Sequence, residues 1–249
     1  MKWVKAPTAV LRDIGISRPH DIDLELIAFT LNAAVIYEPL GGYEANIFGS
    51  NDRAVITVNS NSIPVRRRFS LSHEIGHWTN DRGKNLSIEC GTSDLRQKES
   101  TGKQLNVRQA REARANTFAS HLLMPDFMIE PEFSQMPVNM DTVRQIASTF
   151  RTSLTSSANR LIQITKHPAM IGLWSRDGAR RWFDRSSSLS TNVWPQQRIN
   201  NPSLQFSKSN DVLINDGKWL DEKSTNETRI KESVYDNGFD IIVLLSWQA

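Results

Sequence analysis

The pattern His73-Glu74-Ile75-Gly76-His77 constrains this chain more than any other stretch. On a helix, residues i and i+4 share one face, so both imidazoles can address a single ion. Glu74 lies one step round from His73, within reach of a water on that ion. A zinc-dependent hydrolase needs this arrangement. The geometry exists only if the stretch is helical. Leu71, Ile75 and Trp78 stand at i, i+4 and i+7 and form an apolar stripe. Ser62 followed by Pro64 supplies a helix entry, because proline is tolerated in the first turn. Gly76 is discordant, since a mid-helix glycine costs about 1 kcal/mol relative to alanine. Close approach of another backbone is the expected reason.

A bare H-E-x-x-H match also arises by chance, and two helical histidines can instead be half-buried and satisfied by carbonyls. A catalytic zinc keeps three protein ligands and one open position, so a third ligand is required. Glu112, 35 positions after His77, is the best candidate. It sits three residues before Ala115, and Ala115, Phe118, Ala119 and Leu122 form a helical apolar face that Glu112 extends. A carboxylate on a buried stripe needs a cation or strong hydrogen bonds. The competing reading is a solvated glutamate near a helix start, favoured by the dipole. His121 stands two and a half turns beyond Glu112, on the opposite side. His20 and His167 adjoin linker-like sequence and read as surface residues. Cys90 is a soft donor without paired cysteine spacing, and reads as a buried or loop thiol.

Composition narrows the class. The chain has 249 residues, 39% of them hydrophobic and 23% charged. That fits one large soluble domain or two small ones. No apolar run reaches the length of a membrane span. Met1-Lys2-Trp3-Val4-Lys5 has no apolar stretch behind it and does not read as a secretory signal. A single cysteine excludes an internal disulfide framework and fits a reducing cytoplasm. A net charge of +3 is weak evidence for nucleic acid.

Along the chain, residues 8–35 read as helical, with Leu24, Ile27, Ala28 and Leu31 in period. Residues 36–59 read as a small antiparallel sheet, with 53–59 its last strand before the histidine helix. Its exposed edge suits an extended peptide added as a further strand. Residues 81–85 read as a polar loop, and 86–106 show no clear period. Helical pattern returns over 104–124 and stops at Pro125. Val143, Ile146, Ala147 and Phe150, then Leu154, Ala158, Leu161 and Ile162, form two apolar helical faces broken at Thr152-Ser153, a helix-turn-helix-like pair. Past His167-Pro168 the pattern is β, with a hairpin around Asp177-Gly178 and a strong terminal strand over 239–247. Five of the seven tryptophans lie in this last third and read as core. The expected architecture is α+β, with three parts: a metal-binding domain over 1–137, a helical segment over 138–166, and a β-rich domain over 167–249.

Arg67-Arg68-Phe69-Ser70-Leu71-Ser72-His73-Glu74-Ile75-Gly76-His77-Trp78, followed by the block from Glu112 to Pro125, resembles the ImmA/IrrE family of metallopeptidases. The two blocks, their order and their spacing carry the likeness, over about residues 20–130. The resemblance implies a zincin-like α+β fold and one zinc per chain. Carried over, the ligands are His73, His77 and Glu112, and Glu74 is the general base. Family members often carry an acid where this chain has Arg114 and a glutamate where it has His121. Neither position is expected to touch the metal. The resemblance also implies a protease that cleaves a helix-turn-helix repressor and so relieves transcriptional repression.

Within that scheme Asn116, one turn after Glu112, is placed to orient that ligand. Tyr43 is an available oxyanion donor that the sequence does not locate. The alternative class is a DNA-binding regulator with a vestigial or structural metal site. Arg108, Arg111 and Arg114 share one helical side, although such rows are usually solvated. A structural zinc generally takes four protein ligands, often cysteine, and a single cysteine argues against it.

Overall fold

Asp23 opens the first well-packed helix by accepting from the Leu26 amide, an N-cap that satisfies one orphan donor. The computed structural model describes residues 5–81, 86–91, 94, 106–199, 209–214, 219–221, 224 and 229–247. Residues 1–4, residues 82–85 of the polar loop read at 81–85, and most of 92–105 lie outside these. Among the described residues there are seven α-helices and two sheets. The chain divides into two units, one of residues 1–128 with 150–152, the other of 129–149 with 153–249.

In the first unit, α1 (Pro7–Asp13) and α2 (Leu24–Thr30) precede β1 (Ala33–Glu38), β2 (Ala45–Ser50) and β3 (Arg53–Asn59). Then come α3 (Pro64–Asp81), β4 (Leu86–Cys90) and α4 (Val107–Leu123). The sheet order is β1-β3-β2-β4. β2 pairs antiparallel with β3 and β4, whereas β1 joins β3 in parallel, so the sheet is mixed rather than purely antiparallel. Helix does not continue to residue 35. It ends at Thr30, because the run Ala33-Ala34-Val35-Ile36-Tyr37 pairs along β3 instead. β4 falls where no period is evident. Among its described side chains Ile88 and Cys90 mark the buried face, and it pairs with β2.

Ala45, Ile47, Ala54, Ile56, Val58, Ile88 and Cys90 form the buried face of this sheet. Trp78 of α3 lies against it: a Cβ on Gly49 of β2 would stand 2.8 Å from the indole. The indole Nε1–H donates to the Leu31 carbonyl at 2.8 Å, which gives the ring's polar edge a partner. The apolar stripe of α3 thus serves the sheet, and its histidine face is free to meet α4. Residues 70–79 are buried on every side.

α4 begins with a capping box. Asn106 Oδ1 accepts from the Gln109 amide at 2.8 Å, and Gln109 Oε1 accepts from the Asn106 amide at 3.1 Å. Its buried residues are Glu112, Ala113, Ala115, Phe118, Ala119, Leu122 and Leu123. The close approach expected at Gly76 is present. A Cβ there would meet Phe118 Cδ1 at 3.1 Å and the Ala115 carbonyl oxygen at 3.2 Å.

α5 (Asp126–Phe133), unforeseen after the stop at Pro125, leads into the second unit. There α6 (Met140–Phe150) and α7 (Leu154–Ile164) follow the two expected faces. Ser153 caps α7 by accepting from the Ser156 amide. The strands β5 (Ala169–Ser175), β6 (Arg180–Arg185), β7 (Ser209–Ile214), β8 (Ile230–Asp236) and β9 (Asp240–Trp247) make an antiparallel sheet in the order β6-β5-β9-β8-β7. Asp177-Gly178 turns the first hairpin, with Gly178 at φ +89. Trp174 and Trp219 are fully buried and 5.3 Å apart, whereas Trp194 is exposed and does not join the core.

Candidate metal centre

The histidine face of α3 meets the Glu112 face of α4. His73 Nε2 and His77 Nε2 stand 2.9 Å apart. Glu112 Oε2 lies 3.2 Å from the first and 3.1 Å from the second. All three side chains are buried, Glu112 at 2% exposure. The alternative of a solvated helix-start glutamate is therefore not what the fold builds. Its other oxygen, Oε1, faces Arg111 Nε at 3.7 Å. Cys90 also reaches this point, with Sγ 3.8 Å from both His77 Nε2 and Glu112 Oε2. One donor atom from each of His73, His77, Cys90 and Glu112 lies within 4.8 Å of all the others.

Asn116, expected beside Glu112, meets His73 across the two helices. Its Nδ2–H donates to the Asp94 carbonyl at 2.8 Å, which turns Oδ1 toward His73 Nδ1 at 2.7 Å. With Oδ1 as acceptor, Nδ1 carries a proton, which leaves Nε2 to serve as the ligand atom when an ion is bound. A lone pair on His73, a second imidazole nitrogen and a carboxylate oxygen then face one point. Such a donor set fits a divalent cation of the zinc type, with imidazole and carboxylate ligands.

The charges follow. Burial works to raise the Glu112 pKa, but hydrogen bonds and charge from His73 and His77 outweigh it and hold the carboxyl well below the usual range in the metal-free protein. Glu74 is 0% exposed. Burial pushes its pKa up, against the lowering influence of His77 and His73. The Cys90 thiol lies near enough to interact with it, yet neither Glu74 oxygen has a partner at hydrogen-bonding geometry. An unpartnered buried carboxylate beside a donor cluster is suited to holding a water or taking a proton. Burial, followed by the charges of Glu74 and Glu112, also pushes the Cys90 thiol pKa far up.

The remaining candidates lie elsewhere. His121 is on the far side of α4, with Nδ1 against the Thr117 carbonyl at 2.9 Å. His20 and His167 are exposed. Tyr43 is exposed, and its hydroxyl interacts with Glu89, which raises its pKa. The sequence reading missed Cys90 as a neighbour of the histidines. The available signal was the short alternation Leu86-Ser87-Ile88-Glu89-Cys90, which places residue 90 on the same strand face as Ile88.

The arginine row on α4 is largely engaged. Arg108 pairs with Asp94 and Arg114 with Asp81, each at 3.4 Å. α7 carries one basic residue, Arg160, and it is 2% exposed. The second helix of the helix-turn-helix-like pair thus presents no exposed cation of its own. No helix among the described residues is long and apolar enough to cross a membrane.

The family described as the IrrE N-terminal-like domain matches residues 30–161, a span that contains all four residues of the cluster. Among solved structures the chain is similar to a Mycobacterium tuberculosis transcriptional regulator. Identity is 16% and the TM-score 0.55, over 96% of this chain and 74% of that one. Likeness at that identity speaks to fold alone. No curated protein matches the chain.

Proposed function

The chain belongs to the IrrE N-terminal-like domain family, a peptidase family with the zincin-like α+β fold, and on that premise we propose that it is a zinc-dependent endopeptidase. The observation that carries the reading is the meeting of His73 Nε2, His77 Nε2 and Glu112 Oε2 within 3.2 Å of one another, beside the unpartnered Glu74 carboxylate. His73, His77 and Glu112 hold the ion, one per chain. Bound there, zinc supplies Lewis-acid polarisation of the scissile carbonyl and acidifies water. Glu74 takes the proton of the attacking water and returns it to the leaving amine, base and then acid. Its raised pKa suits the second of these tasks. Asn116 holds the His73 ring in one tautomer and orientation. β4 is an edge of its sheet and ends at Cys90, so an extended peptide added along it passes the cluster.

The substrate in this reading is a helix-turn-helix repressor, and the setting is the cytoplasm. The structural neighbour's description as a transcriptional regulator supports a transcriptional context. It also favours a second reading, a DNA-binding regulator with a vestigial or structural metal site. The paired arginines of α4 and the buried Arg160 weigh against that reading. A DNA affinity that falls steeply with salt would revive it.

The test is metal analysis of the purified protein and of Glu112→Ala, with a helix-turn-helix repressor offered as substrate. We expect about one zinc per chain, held more weakly in Glu112→Ala, which also loses cleavage. Equal zinc affinity in the two proteins would remove Glu112 from the proposed centre.

A further inference from the structure

We propose that Cys90 is a fourth ligand of the metal, closing the centre in its resting state until substrate displaces the thiolate. The inference rests on the metal-centre reading above and adds a donor from a third element, β4.

Four observations carry it. First, the distances suit a tetrahedron. Zinc lies about 2.0–2.2 Å from nitrogen and oxygen donors and about 2.3 Å from sulfur, so tetrahedral edges are about 3.3 Å between N or O donors and about 3.6 Å to sulfur. The imidazole and carboxylate atoms are separated by 2.9, 3.1 and 3.2 Å. Cys90 Sγ is 3.8 Å from two of them and within 4.8 Å of the third. Second, the strand backbone holds Cys90 in place. Cys90 pairs with Ala45 of β2, and its carbonyl accepts from the Glu44 amide at 3.0 Å. The next residue is tied to the same network as His73. Asp94 accepts from the Gly91 amide through Oδ2 at 3.1 Å, and its carbonyl accepts from Asn116.

Third, the thiol is wholly buried and has no disulfide partner. A coordinating thiol is deprotonated outright by the ion it binds. Fourth, the Glu74 carboxylate is buried with both oxygens unpartnered beside this group. It points to a polar occupant of the space among the four donors.

The consequence is regulation of the catalytic site. With the thiolate on the fourth corner, no position remains for water, and four protein ligands make the closed pattern of a non-catalytic zinc. Hydrolysis then requires Cys90 to leave. A peptide bound along β4 would be placed to shift the strand that carries it.

The experiment uses Co2+ in place of zinc in the full chain. A tetrahedral site with a thiolate ligand gives a sulfur-to-cobalt charge-transfer band in the near ultraviolet beside its visible bands. Cys90 is the chain's one cysteine, so the wild-type spectrum decides the matter even if a variant fails to fold. We expect the band in wild type and its loss in Cys90→Ala, with one Co2+ per chain retained by the other three donors. Stoichiometric Co2+ binding by wild type without the band would overturn the Cys90 assignment and leave the metal centre standing. Failure of wild type to bind Co2+ at all would overturn both.

Discussion

Substituting Gly76 by alanine tests whether the contact between α3 and α4 sets the geometry of the metal centre. In an unpacked helix this change stabilises by about 1 kcal/mol. Here the new Cβ meets Phe118 Cδ1 at 3.1 Å, Phe118 Cβ at 3.2 Å and the Ala115 oxygen at 3.2 Å. Ordinary contact begins at 3.4 Å, so α4 must retreat by a few tenths of an ångström. Phe118 is fully buried and the oxygen belongs to helical backbone, so neither can swing aside. Overpacking of this kind costs about 1–3 kcal/mol. The net expectation is a loss of about 0–2 kcal/mol, read by urea unfolding of the metal-free protein. Gly76→Val should lose more, because it adds two methyls and a β-branched helix penalty. Metal sites need their donors held to within about 0.5 Å, and Ala115 lies one turn from Glu112. Zinc affinity measured by chelator competition should therefore fall with stability. A Gly76→Ala protein that gains the full propensity value, with unchanged zinc affinity, would refute the reasoning.

Glu74→Gln should keep its zinc and lose cleavage, and unchanged proteolysis would remove Glu74 from the mechanism. The same variant should stabilise the metal-free protein at neutral pH by about 1–3 kcal/mol, because an unpartnered buried carboxylate is replaced by a neutral amide. The sign follows from the raised pKa. The folded state favours the protonated form, so wild type loses stability as pH rises from the ordinary carboxylate range through the folded value, and the glutamine variant does not. A gain that is equal at pH 4 and pH 7 would count against this account. Asn116→Ala should weaken zinc binding by about 10–100-fold, since His73 loses the acceptor that fixes its tautomer; an unchanged affinity would assign that hydrogen bond no part in the site. Removing the metal with a chelator should lower the melting temperature. The shift should correspond to about 2.7 kcal/mol when free zinc had stood at a hundred times its dissociation constant, and calorimetry with and without chelator checks it.

The second unit shows most plainly where local pattern stops. The Asp177-Gly178 hairpin and the terminal strand were legible because a turn signal and a long apolar run need no partner to be recognised. β7 and β8 were not. Ile230–Asp236 becomes a strand by pairing with β9 and Ser209–Ile214 by pairing with β8, and little in their own composition announces it. The helix pair at 140–164 was legible from its apolar faces, but its exposure was not. That α7 buries Arg160 depends on what packs against it.

The sequence by itself determined that His73 and His77 share one helical face with Glu74 beside them, because helical periodicity is local and needs only a few consecutive residues. It also offered Glu112 as an extension of an apolar stripe, with a solvated helix-start glutamate as the alternative, and marked Gly76 as a point of close approach. Only the tertiary structure decided that Glu112 faces the imidazoles, that Asn116 serves His73, and that Cys90 joins them. Those relations link residues 13 to 43 positions apart on three different elements. No periodicity reaches that far, and only the packing of α3 between its sheet and α4 brings them to one point.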